Sequence, residues 1–210
     1  MRSRWLLRSR WLLLASLILV IEPRWVAAED AKRLESDKVA KIAATLVAAT
    51  SGLSDLPVKV TPDTQRAMGI TAQDRGGILV PDSRLTAEAL KKVDQDVLPI
   101  GLLFLHRITP SVAEIATTAD QHRQITVTIE DKSVSIFVLP LAVTRVADRL
   151  VLLVYTNRKE PTVVTTLVES NESKELPLEM DPRPAQDQRA TLLLSLLGRY
   201  RAAIDIVAQD

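Results

Sequence analysis

The 210-residue chain has no cysteine. That excludes disulfide staples, thiolate metal sites, thiol nucleophiles and attachment to a membrane through a lipidated cysteine. Aromatic residues are scarce at 3%. Platforms that stack bases or sugar rings need several exposed rings, so single-strand nucleic-acid binding and lectin-like binding both lose ground. Catalytic signatures are missing as well: there is no G-x-S-x-G elbow, P-loop, H-E-x-x-H helix, G-x-G-x-x-G turn or EF-hand loop. The longest uncharged apolar run, Leu12–Ile21, is ten residues, against the roughly 20 that a membrane-spanning helix needs.

What is present begins with that run. Arg2, Arg4, Arg8 and Arg10 precede it, within a tandem RSRWLL repeat. Glu22-Pro23 ends it, and Val26-Ala27-Ala28 places small residues before a cut after Ala28. A basic start, a short apolar core and a small-residue site make a cleavable signal peptide over 1–28, directing the chain to the periplasm, envelope or exterior. The alternatives are an uncleaved anchor, making the protein a membrane-associated subunit, or a buried core helix. Cleavage changes the composition that matters. Five of the 27 basic side chains and one of the 26 acidic ones leave, taking the net charge from +1 to −3. All three tryptophans (Trp5, Trp11, Trp25) leave too, so Phe104, Phe137, Tyr155 and Tyr200 are the aromatics that remain. A mildly acidic chain without a basic block argues against nucleic-acid partners, and against membrane contact once the leader is gone.

The expected fold class is α+β, mainly an antiparallel β-sandwich or open barrel with one N-terminal amphipathic helix and one or two short helices. Val39, Ile42, Ala43, Leu46 and Val47 recur at helical spacing after an N-cap at Ser36, and Ser51-Gly52 ends a helical arm over 29–52. The β-rich domain follows over 53–210. LPVKV (56–60) reads as a strand, and Thr61-Pro62 as the start of a short helix that Gly69 stops. Gly76-Gly77 reads as a turn before GILVP, and Thr86 as the cap of a helix to Val93. IGLLFLHRI (100–108) reads as a central strand covered on both faces. Beyond 124, alternating segments suggest strands at 124–130, 134–139, 141–146, 150–156, 162–169, 175–180, 191–197 and 200–208. Pro140 should interrupt pairing, and DPRPAQDQ (181–188) should be a stiff connection.

Candidate chemistry is thin. His106, His122 and Asp120 offer a general base with an orienting carboxylate, or ligands for a metal-assisted hydrolase. Their spacing matches no known pattern; His106 also reads as half-buried at a strand end and His122 as an exposed loop residue. Between the histidines, the 108–123 segment reads as a loop with a short helix capped by Ser111 and Glu114. Glu169, Glu172, Glu175, Glu179 and Asp181 could hold calcium but match a solvated face. Asn171 opens an N-E-S sequon. No cofactor or metal is implied. The composition and motifs favour an exported, non-catalytic domain that binds or scaffolds a protein or other envelope partner, with the histidine-based enzyme and the signal-anchored subunit as alternatives.

Overall fold

The computed structural model describes residues 31–209 apart from 54, 114, 130 and 185–188. The leader and its cleavage site at Ala28 therefore lie outside the described residues, as does Glu114. Along the chain come β1 (Lys32–Arg33), α1 (Ser36–Thr50), β2 (Met68–Ala72), β3 (Arg75–Pro81), α2 (Ala87–Lys91) and β4 (Leu98–His106). Next are β5 (Ile108–Val112), β6 (Ile115–Ala116), β7 (Arg123–Ile129), β8 (Lys132–Val146), β9 (Arg149–Val154) and β10 (Val163–Thr166). The chain closes with β11 (Val168–Glu169), β12 (Leu178–Pro184), β13 (Arg189–Leu196) and β14 (Tyr200–Ala208).

These strands form two antiparallel sheets packed face to face, the mainly-β sandwich expected of the alternating segments. The larger runs β1-β2-β3-β4-β8-β9-β10, with β7 also on β8; the smaller runs β12-β13-β14-β5-β6, with β11 on β14. Alternation puts Leu139, Leu141 and Val143 of β8 and Leu150, Leu152 and Val154 of β9 inward. They meet Leu192, Leu194 and Leu196 of β13 and Ala202, Ile204 and Ile206 of β14. The outer face of the larger sheet is apolar too. Val39, Ala43 and Leu46 of α1 cover Ile78, Val80, Leu102, Phe104, Ile136 and Val138. The helix thus packs against the sheet as one of its layers.

β4 is central and covered on both faces. Leu103 and Leu105 face the other sheet, while Leu102 and Phe104 face α1. Ile100 breaks the alternation and joins Leu103, because the register with β8 shifts between Pro99 and Gly101.

Several segments differ from the sequence reading. The 56–60 segment forms no strand. Val58 instead lies flat on the outer face, against Ala142, Val151 and Leu153. An alternating apolar pair satisfies that packing as well as it would a ladder. Pro62 begins no helix; Asp63 caps a single 3₁₀ turn at Thr64–Arg66, and Gly69 lies inside β2. A Cβ on Gly69 would come within 3.0 Å of Leu34 and Val39 side-chain carbons, so the glycine there admits the helix. α1 starts at Ser36 with Glu35 as its cap, whereas Thr86 caps α2 through the Ala89 N–H as expected.

β8 runs through Pro140 without a break. Its first half pairs with β7 and its second with β9. Pro140 accepts the Tyr155 N–H, and a strand residue turns its nitrogen and carbonyl to the same edge. The missing donor therefore falls at the end of the β9 ladder and costs β4 nothing. Pro182 lies in β12, at the edge of the smaller sheet, where a missing N–H is tolerated. The 162–169 segment divides at Leu167, with β10 serving the larger sheet and β11 the smaller.

Candidate functional site

β4 leaves the larger sheet at Arg107, whose φ of 56° swings the chain into β5 of the smaller one. The expected helix at Ser111 does not form. Ser111 is buried in β5, which folds back as a short hairpin with β6. The capping box falls later, where Thr118 and Gln121 close a single 3₁₀ turn at Ala119–Gln121. This fold-back sets the position of His122, while His106 is placed by the end of β4.

His122 is buried rather than exposed. Its ring packs on Phe137 with centroids 4.7 Å apart. Nε2 lies 2.6 Å from the Thr109 hydroxyl and 2.7 Å from that of Thr117. Because the Thr117 hydroxyl donates to the Pro110 carbonyl at 2.7 Å, its oxygen accepts from its other neighbours. A proton on Nε2 then finds an acceptor, and the ring is assigned to that tautomer. It leaves the Nδ1 lone pair unpartnered, which is cheaper than burying an orphan N–H. A second proton would have to sit on Nδ1 with nothing to receive it. Burial accordingly pushes the His122 pKa down to about 4, against the opposing pull of the Asp120 charge. Asp120 sits exposed in the 3₁₀ turn, and its main-chain carbonyl accepts from Asn157.

His106 is half-buried at the end of β4, with Nδ1 at 3.2 Å from the Ser135 carbonyl. A carbonyl only accepts, so this nitrogen carries the proton. His106 lies on the side of the sheet that Phe104 and Ile136 share beneath α1. The Phe137 ring that packs on His122 faces the intersheet core. The two imidazoles are thus directed to opposite sides of the larger sheet. Among the described residues no three His, Asp or Glu side chains converge as metal ligands.

The acidic stretch is engaged elsewhere. Glu172 pairs with Arg201 and Lys174, and Asp181 pairs with Arg183. Buried Glu179 accepts the Glu175 and Leu176 N–H groups. Asn171 is exposed before β12.

The concave feature of this face is a groove under α1, with a volume of about 390 Å³. That lies within the range of single-ligand pockets. Ile42 and Leu46 form its helix wall, and Ile78, Phe104, Val134 and Ile136 its floor. Gly76, paired in register with His106, adds no side chain to that floor. Gln73, Asp74, Arg75, His106 and Lys132 rim the open end, where Asp74 is ion-paired with Arg107. The sequence reading assigned Gly76-Gly77 to a turn and so missed the groove. The available signal was a glycine pair flush against an apolar strand, a pattern that also marks close approach of backbone or ligand.

A second residue absent from the sequence reading is Asp82, which is fully buried. One carboxylate oxygen accepts the Arg84 main-chain N–H and Nε, and the other accepts the Thr61 N–H and the far guanidinium nitrogen. Burial alone would raise its pKa; the Arg84 side chain and these N–H groups outweigh it and hold the carboxyl below its usual range. Arg84 also reaches the Lys59 carbonyl. The pair therefore clamps the 59–61 segment, a structural task.

No family model, curated protein or solved structure matches the chain. Fold and site together define a two-sheet β-sandwich with a helix-covered outer face and an apolar groove beneath that helix. Among the described residues no helix is long and apolar enough to cross a membrane.

Proposed function

We propose that the protein is an exported, non-catalytic binding domain of the cell envelope or extracellular space, and that the groove beneath α1 is where it takes its ligand. One observation carries this reading. The groove is floored by side chains that bind without reacting, whereas His122, the imidazole with a shifted pKa, is buried in the core away from it. Export rests on the basic, apolar and small-residue order of residues 1–28. The rival reading, a hydrolase built on His106, His122 and Asp120, requires imidazoles directed to opposite sides of one sheet to act on one substrate.

The test uses the uncharged fluorescent probe N-phenyl-1-naphthylamine, whose emission rises in apolar surroundings. Chain starting at Glu29 should bind it saturably, near one per molecule. Val134→Trp, which fills the groove from its floor, should abolish binding while leaving the circular dichroism spectrum unchanged. Absence of saturable binding, or equal binding by the filled variant, would overturn the proposal.

A further inference from the structure

We infer that the ligand is a single-chain amphiphile with an anionic head, its chain lying under α1 and its head beside Lys132 and His106. This rests on the reading of the groove as the binding site and adds the chemistry of what enters it. Two cavities meet there. The apolar groove shares His106, Lys132 and Val134 with a neighbouring cavity of about 360 Å³, which is otherwise lined by Arg107, Ser133, Ser135, Phe137 and Gln209.

The second cavity has a topological cause. β4 pairs with β8 only as far as Leu105 opposite Phe137, then turns away at Arg107. The first residues of β8 lose their neighbour on that side. The His106 Nδ1–H donates to the Ser135 carbonyl and so occupies one position of the vacated ladder. Strand alternation turns the N–H groups of Ser133 and Ser135 toward the same edge. Two main-chain N–H groups and the Lys132 ammonium thus reach one end of an apolar slot, with the Ser133 carbonyl turned to the same edge.

Among the described residues no carboxylate lines the polar cavity, while Lys132 and Arg107 do. At the groove rim Asp74 is ion-paired with Arg107, so Lys132 is the cation left to meet a ligand's head. Lys132 has no acidic partner within ion-pair distance among the described residues. A cationic head would be repelled by Lys132, and a neutral head would leave it unanswered. An anionic head on an apolar chain satisfies both cavities at once.

Decanoate, decanol and decylamine share a chain and differ in head charge. Each is titrated against the probe bound to chain starting at Glu29, at pH 8 and low salt. Decanoate should displace the probe at about three- to fivefold lower concentration than decanol, the effect of one partly screened ion pair, and decylamine should be weakest. Lys132→Glu should erase or reverse that order, and Lys132→Arg should keep it. Ile42→Trp, filling the slot from the helix side, should abolish displacement by all three if Val134→Trp fails to fold. Equal displacement by the three heads, or an unchanged order in Lys132→Glu, overturns the anionic-head inference while leaving the binding reading intact. Failure of the probe itself to bind overturns both.

Discussion

His122 shows how one buried ring couples stability to pH. Its pKa is about 4 in the fold and about 6.5 in an unfolded chain. Between those values the unfolded state binds more protons, so stability rises with pH across the window. The contribution is complete above pH 6.5 and lost as pH falls toward 4, at about 1.4 kcal/mol per unit and roughly 3 kcal/mol in all. Urea unfolding at steps from pH 7 to 4 should show that slope, and His122→Gln should flatten it. Asp82 acts in a lower window. Its folded pKa is depressed, so its contribution is present above the ordinary carboxylate value and disappears below it. Asp82→Ala orphans the Thr61 and Arg84 N–H groups and should cost about 2–4 kcal/mol at pH 7, read as a lower urea midpoint. Neither effect was legible in sequence. DQHRQ and PDSRL both look like solvated turns, and burial of each group depends on distant segments folding over it.

At the scale of elements, periodicity was a sound guide for the longer segments with a buried face, though not for the short 56–60 segment, where Val58 is buried without a strand. It identified α1, the two-sided β4 and the terminal β13–β14 hairpin. It failed where partners change along one strand, as at Pro140, where a residue that reads as a break sits harmlessly at a ladder's end. The close fit of β3 and β4 gives a direct check. A Cβ on Gly101 would lie 2.4 Å from the Val80 carbonyl oxygen and 3.1 Å from the Pro81 Cα, atoms that move only if the sheet moves. Gly101→Ala should therefore destabilise by about 2 kcal/mol or more, seen as a fall in thermal midpoint. The adjacent Leu102→Val, inward toward α1, should cost about 1 kcal/mol and serves as the control.

For the whole molecule, the open question of the leader has a simple measurement. Protein recovered from the medium or periplasm of its host should have the intact mass of a chain starting at Glu29. It should show tyrosine emission only, because Trp5, Trp11 and Trp25 all precede the cut. Full-length mass with indole emission would instead support the signal-anchored alternative.

The sequence by itself determined the class of fold. Alternation of apolar and polar residues is a local property, and a chain with this many half-apolar segments must pair them into sheets and bury one side. It also determined that no thiol chemistry is available. Tertiary structure alone decided where the sheets are covered and where they are left open. A groove arises from where Ile42 and Leu46 of α1 lie over the sheet, where Gly76 falls opposite His106 and where β4 abandons β8 at Arg107. Each is a relation between residues far apart in the chain, and periodicity within a segment carries no record of it.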